Sequence, residues 1–345
     1  MDFWKEQLAA SISRPEQLAA HFNIDHESLQ PVVERYPMLI TPHYLGLIEE
    51  QGDPIWRQCV PDPLELAPDE LFDDPLNEAA FTPVPAVVHR YPDRALLMVA
   101  GSCAGFCRFC TRKSRVGHPQ LCFSEARIEE GIEYIAGQPR IRDVILTGGD
   151  PLLLDDDRLL DILNRLRRIP QVEILRIGSR VPVTLPERVT AALCEQLSRL
   201  HPLFINTQFN HPRELTAESS QACGRLAAAG IPLGNQTVLL RGVNDDPQTM
   251  AALCRGLLGM RVKPYYLHQM DLARGTGHFR VPVEQGLDIV EAMRGRISGL
   301  AIPHYMVDPP GGEGKVALTR GSLLEIGRTF SVCTAEGKVV SLPNR

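Results

Sequence analysis

From Arg94 onward, short apolar runs alternate with amphipathic stretches of helical spacing, and this alternation constrains the fold more than any other feature of the 345-residue chain. Strands are expected near Ala95–Ala100, Val144–Thr147, Ile174–Gly178, Leu203–Gln208, Leu233–Leu239, Val262–Tyr266 and Pro303–Val307. Helices are expected near Ser124–Ala136, Asp157–Arg167, Pro186–Leu200, Ser219–Ala229, Pro247–Leu258 and Val283–Arg294. Strands separated by helices pair in parallel through right-handed crossovers, so the pattern predicts an α/β fold built as an open or closed barrel.

The flanks read differently. Over residues 1–50, Phe3, Leu8 and Ile12, then Leu18 and Phe22, recur at helical intervals, and Ser13-Arg14-Pro15-Glu16 is a helix-start signal. Pro54, Pro61, Pro63, Pro68, Pro75, Pro83 and Pro85 then deny long helices to residues 51–93, which predicts an irregular wrap. Beyond the barrel, Lys315–Leu318, Ser331–Thr334 and Lys338–Ser341 read as short β segments. The expected organisation is an N-terminal helical and irregular extension over 1–88, a core barrel over 89–312, and a C-terminal loop with β segments over 313–345.

A hydrophobic fraction of 44% supports one large core, and a net charge of −6 offers no electrostatic footprint for nucleic acid or an anionic membrane. The N-terminus has no basic segment followed by an apolar one, and no run is long enough to span a bilayer. A cytoplasmic protein acting on a small molecule is expected. Cys59, Cys122, Cys194, Cys223, Cys254 and Cys333 are scattered and suggest no disulfide framework.

The other three cysteines stand together as Cys103-x-x-x-Cys107-x-x-Cys110, directly after the first barrel strand. Three thiolates can hold three irons of a [4Fe–4S] cluster and leave the fourth iron open for chemistry. The competing reading is a zinc site with His118. Structural zinc takes four protein ligands, usually in two close pairs, and no second pair stands nearby. The spacing resembles the signature of the radical S-adenosylmethionine (SAM) superfamily, whose open iron binds SAM and cleaves it to a 5′-deoxyadenosyl radical. Gly148-Gly149-Asp150-Pro151, Ser179-Arg180 and Asn210-His211-Pro212 follow the next three strands, where barrels of this class build their sites. The resemblance implies that Gly148, Gly149, Asp150 and Gln236 contact SAM.

Near the C-terminus, Asp308-Pro309-Pro310-Gly311-Gly312-Glu313-Gly314-Lys315 carries a lysine on a glycine-rich loop. A P-loop, G-x-x-x-x-G-K-[ST], needs glycine five residues before Gly314 and Ser or Thr after the lysine, and Pro309, with Pro310 beside it, and Val316 fail at both ends. The remaining functional reading is a lysine that forms a Schiff base with pyridoxal 5′-phosphate (PLP). Together with His89-Arg90-Tyr91-Pro92-Asp93-Arg94, Thr111-Arg112, Phe209-Asn210-His211-Pro212, Gly234-Asn235-Gln236, Pro264-Tyr265-Tyr266 and Gly277-His278-Phe279-Arg280, these motifs resemble the lysine 2,3-aminomutases, a PLP-dependent branch of the radical SAM enzymes.

That resemblance implies a radical SAM partial (β/α)6 TIM-like barrel, and a conversion of (S)-α-lysine to (R)-β-lysine by radical and PLP chemistry. It implies Lys315 as the PLP lysine, Arg90 and Arg94 for the PLP phosphate, Arg112 for the substrate carboxylate, and Asp271 and Asp308 for the ε-ammonium of lysine. Two carboxylates suit a buried ammonium, which is why lysine is expected ahead of glutamate or arginine. The chain looks like the short bacterial type, lacking a C-terminal zinc-binding extension and supplying β-lysine to a ligase that modifies elongation factor P. A flavodoxin- or ferredoxin-type electron donor and self-association are also implied. A non-catalytic iron–sulfur or zinc-binding regulator is the reading from another class. The chain departs from the family at Glu313, where glycine is common, and at Gln208, where histidine is common.

Overall fold

Alternate residues of a strand face opposite sides, so a strand with helices outside and a cavity inside must carry aliphatic side chains at every second position. Val144 and Leu146 are buried while Asp143, Ile145 and Thr147 point to the interior, and Leu175 and Ile177 alternate with Arg176 and Gly178 in the same way. The computed structural model, which describes residues 2–118, 123–319, 323–334 and 337–344, builds these runs into one nine-stranded sheet. Its strands, in sequence and in spatial order, are β1 (Val87–Tyr91), β2 (Arg94–Ala100), β3 (Asp143–Gly148), β4 (Ile174–Gly178), β5 (Leu203–Thr207), β6 (Leu233–Val238), β7 (Val262–His268), β8 (His304–Val307) and β9 (Val316–Ala317). All pairings from β2 to β8 are parallel, whereas β1 and β9 run antiparallel at the two edges. The architecture is that of a partial TIM-like barrel.

The crossover helices start where side chains satisfy their first amides. Ser124, Thr190, Thr216 and Asp246 accept from backbone N–H groups at the starts of Glu125–Ala136, Ala191–Leu197, Ala217–Ala228 and Pro247–Gly259. Asp156–Arg167 and Val283–Met293 complete the set. The third crossover is shorter than the expected Pro186–Leu200, because Pro186 opens a separate turn and Thr190 caps a new helix start. Val87–Tyr91, expected to be irregular, is a strand because Tyr91-Pro92-Asp93-Arg94 turns tightly and pairs Tyr91 with Arg94.

Short helices at Phe3–Ala9, Pro15–Ala19, Gln30–Arg35, Pro42–Leu45 and Pro54–Cys59 form the N-terminal part. The wrap that follows sends carboxylates inward. Asp53, Glu65 and Glu78 are buried, and they pair with Arg213 (2.8 Å), Arg108 and Arg112 (2.5 Å) of the barrel. At the other end β10 (Leu323–Ile326), β11 (Thr329–Cys333) and β12 (Val339–Pro343) form a separate antiparallel sheet, of which β10 was not anticipated. Asn344 ties it to the barrel by donating to both Glu284 oxygens at 2.6 and 2.7 Å. No helix among the described residues is long and apolar enough to cross a membrane. Cys122 lies outside the described residues.

Candidate active site

The loop after β2 brings Cys103, Cys107 and Cys110 to the wall of one small cavity, together with Gly105, Phe106, Arg108 and Lys113. Its path is set by the end of β3. Gly149 N–H donates to Ala100 O at 2.5 Å and Asp150 N–H to Ser102 O at 2.8 Å. A Cβ on Gly148 would lie 2.3 Å from Ala100 O and one on Gly149 2.2 Å from Ser102 O, so this clasp admits only glycine at both positions. The Asp150 carboxylate is buried and accepts from the amides of Leu152 (3.0 Å), Arg180 (2.7 Å) and Val181 (3.1 Å), fixing the loops after β3 and β4 together. Gly148, Gly149 and Asp150 line none of the cavities described here.

Beneath the loop, Arg108 and Lys113 share the buried Glu65, Lys113 at 2.6 Å. Burial lowers the Lys113 ammonium to about 8 against the pull of that carboxylate. Burial also pushes the Cys110 thiol up to about 11 and Cys103 well above its ordinary value. Among the described residues no group of His, Cys, Asp and Glu is arranged to hold a single metal ion, and His118 is not in the wall of the cysteine cavity. Three sulfurs set around a cavity, rather than on one point, fit a multi-iron cluster.

Cys107 and Cys110 also border a second cavity of about 230 Å³, shared with Gln208, Gln236, His268, Asp271, Asp308 and Lys315. A third, of about 560 Å³, fills the barrel interior and is lined by Arg90, Tyr91, Arg94, Arg112, Tyr265 and Tyr266 among others. Lys315 and Gln236 stand in the wall of both. The cysteines, the two aspartates, the lysine and the three arginines thus form one continuous run through the barrel.

Asp308 is the electrostatic centre of that run. Its side chain is 3% exposed, accepting from Arg90 Nη2 at 3.1 Å and from the Lys315 ammonium. Burial alone would raise its carboxyl, but Lys315 and Arg90 outweigh burial and hold it below the ordinary value. Asp271 shows the opposite balance: burial and the charge of Asp308 push it up to about 7. Burial and then Lys315 lower the neighbouring His268 imidazole to about 3, so it is neutral.

The Lys315 N–H donates to Tyr91 OH at 3.0 Å, and Arg94 lies 3.8 Å over the Tyr91 ring while pairing with Asp93 at 2.9 Å. An amine that can bond an aldehyde, guanidinium groups for a phosphate and aromatic faces are what PLP requires, and the cavity wall holds all three. Glu313 pairs with the exposed Lys338 and so ties the Lys315 loop to the C-terminal sheet. The backbone oxygen of Gln208 accepts from Arg180 Nε at 3.1 Å.

Arg112 is held by Glu78, its Nε and Nη2 donating at 3.0 and 2.5 Å, while Nη1 reaches Thr147 Oγ1 at 3.3 Å and Gly148 O at 3.4 Å. That leaves one Nη2 N–H for a ligand in the 560 Å³ cavity that Arg112 lines. Sequence reasoning missed Glu78, because nothing local in a Pro- and Asp-rich segment marks a residue whose partner is 34 positions away. Tyr265 and Tyr266, whose hydroxyls bond at 2.8 Å, stood in a motif already singled out, but without a role.

Comparison with known proteins identifies the family. Residues 97–254 match the radical SAM superfamily and residues 290–341 match the family described as lysine-2,3-aminomutase. The L-lysine 2,3-aminomutase of Fusobacterium nucleatum is 47% identical over 318 residues, covering 90% of this chain and 75% of that one. The chain belongs to the lysine 2,3-aminomutase family. The L-lysine 2,3-aminomutase of Escherichia coli is 34% identical over 91% of this chain and 94% of its own length. The glutamate 2,3-aminomutase of Clostridioides difficile is 41% identical over 98% and 82%. Lysine 2,3-aminomutases are PLP-dependent radical SAM enzymes that use a [4Fe–4S] cluster and SAM, and this member is accordingly a radical SAM aminomutase, an isomerase.

Proposed function

We propose that this aminomutase acts on L-lysine and forms (R)-β-lysine, and the observation that carries the reading is the Lys315 ammonium seated on Asp308. That ammonium ends a four-carbon chain, as the substrate's ε-ammonium does. With the Lys315 nitrogen committed to PLP, Asp308 would keep Arg90 but the aspartate pair would lose this ammonium, and a lysine ε-ammonium would take its place. A γ-carboxylate of glutamate would instead meet two carboxylates. Arginine shares the charge of lysine and is the competitor the assay must include.

When bound, cluster-ligated SAM supplies a carbon radical that removes hydrogen from Cβ, while PLP supplies the aldehyde that holds the migrating nitrogen. The chain's own residues set the geometry. Cys103, Cys107 and Cys110 would hold the cluster, Cys107 and Cys110 at the wall of the second cavity, with Gly148, Gly149 and Asp150 ordering the adjoining backbone and Gln236 of the same wall available to SAM. Arg90 and Arg94 receive the PLP phosphate. Arg112, fixed by Glu78, receives the substrate α-carboxylate through its uncommitted Nη2 N–H and through Nη1, whose contacts to Thr147 and Gly148 are the long ones at 3.3 and 3.4 Å. We further propose a one-electron donor of the flavodoxin or ferredoxin type, self-association, and use of the product by a ligase that modifies elongation factor P. The sequence resemblance supports these last points.

Anaerobic turnover of the reconstituted enzyme with L-lysine, L-glutamate or L-arginine, beside a Lys315→Ala sample, tests the reading. β-Lysine from the unaltered enzyme, and none from Lys315→Ala despite a full cluster, is expected. SAM cleavage without β-lysine from a fully loaded enzyme would overturn the substrate assignment.

A further inference from the structure

Arg180 follows β4 and borders none of the three cavities, yet all three of its nitrogens are engaged. Its Nε donates to Gln208 O at 3.1 Å, and the two N–H groups of Nη2 are shared among Gln58 Oε1 at 2.6 Å, Glu214 Oε1 at 2.8 Å and Tyr44 OH at 3.0 Å. The guanidinium also lies 5.3 Å from the Phe109 and Tyr44 rings. The donor left over, Nη1, stands 2.8 Å from Cys107 Sγ.

Glu214 has no exposed side-chain surface, and it also accepts from Tyr44 OH (2.6 Å) and from the amides of Asn210 (2.5 Å) and His211 (2.9 Å). Arg180 cannot swing away without leaving that carboxylate buried and unpaired. A permanently charged donor is therefore fixed on one cysteine of the triplet, without itself standing in a cavity wall.

We propose that Arg180 is a positioning residue for the iron–sulfur centre: it donates to the Cys107 thiolate, fixes that sulfur, and favours the one-electron-reduced cluster. Hydrogen bonds and positive charge at cluster sulfurs stabilise the additional electron, and they act more strongly where water is excluded. Lysine in this place would keep the charge but not the fork that lets one side chain bind Gln208, Glu214 and Cys107 together.

The inference rests on Cys103, Cys107 and Cys110 being the cluster ligands, which iron content and its loss in Cys107→Ala test separately. The experiment on Arg180 is a redox titration, with dithionite as reductant, of the reconstituted full chain and its Arg180→Lys and Arg180→Gln variants, read by the electron paramagnetic resonance of the reduced cluster. At equal iron content, Arg180→Gln is expected to lower the ratio of reduced to oxidised cluster at fixed potential about tenfold, or about 59 mV for a one-electron couple, with Arg180→Lys between. An unchanged ratio in Arg180→Gln overturns the inference, as does weakened SAM binding with the ratio intact. In parallel, unaltered enzyme carrying 15N-arginine is expected to show a nitrogen coupling to the reduced cluster that Arg180→Lys lacks. If Arg180→Gln fails to retain iron, that coupling decides, and its absence overturns the inference.

Discussion

Replacing Asp308 with asparagine removes a charge while keeping size and one acceptor, so it isolates the electrostatic part of the site. Unit charges at the 3.1 Å separation of Asp308 and Arg90 attract by about 5 kcal/mol at an effective dielectric constant of ~20. Some of this is recovered in the variant. Lys315 is 30% exposed and reaches water, and Asp271, relieved of its negative neighbour, ionises more readily and takes over part of the neutralisation. A net loss of about 3–4 kcal/mol in transition-state stabilisation remains for a substrate bound through its ammonium, or about 10²–10³ in kcat/KM for lysine. The assay is anaerobic initial-rate formation of β-lysine by mass spectrometry, with iron and PLP contents matched to the unaltered enzyme. A kcat/KM within tenfold of the unaltered value would refute the view that Asp308 holds the ammonium.

Two further substitutions probe the surroundings. Asp271 in the folded protein has its carboxyl raised to about 7 from an ordinary value of 3.8, so its contribution to stability is present below pH ~4 and is lost as pH rises towards 7. Asp271→Asn should therefore melt increasingly above the unaltered, lysine-free enzyme across that window; parallel melting curves at pH 4.5 and 7.5 would contradict the balance of charges described. Gly149→Ala places a methyl group 2.2 Å from Ser102 O, where the backbone must move. A loss of about 1–3 kcal/mol, seen as a lower melting temperature together with reduced iron retention, is expected, and retention of both at normal levels would mean that the clasp does not shape the cysteine loop.

What was legible in the sequence is local. The aliphatic runs at Val144–Thr147 and Ile174–Gly178 carry their own period, and they emerged as β3 and β4 almost unchanged. The cysteine triplet and the glycine loop before Lys315 are contiguous motifs, and the three cysteines and the two ends of that loop, Asp308 and Lys315, lie in cavity walls. Strand β1 was hidden by the prolines around it, since its reality depends on a tight turn onto β2 rather than on its own composition. The acids of the wrap were hidden for a stronger reason. Asp53, Glu65 and Glu78 look like ordinary polar residues of a proline-rich stretch, and only their partners at Arg213, Arg108 and Arg112 make their burial affordable. Arg180 was visible as part of a motif, but its aim at Cys107 depends on Tyr44, Gln58 and Glu214 from three distant segments.

The position of those partners along the chain dictates an order of assembly. The extension leaves the ribosome first, but Asp53 waits 160 residues for Arg213, Tyr44 waits 170 for Glu214, and Thr41 waits 143 for the Thr184 carbonyl that its hydroxyl bonds. Until β4 and the loop after β5 have been synthesised, an early-docked wrap would bury acids with no cation opposite them. Thr41, Tyr44 and Asp53 can therefore complete these bonds only once the chain as far as Glu214 exists, whereas Glu65 and Glu78 meet their arginines after 43 and 34 residues.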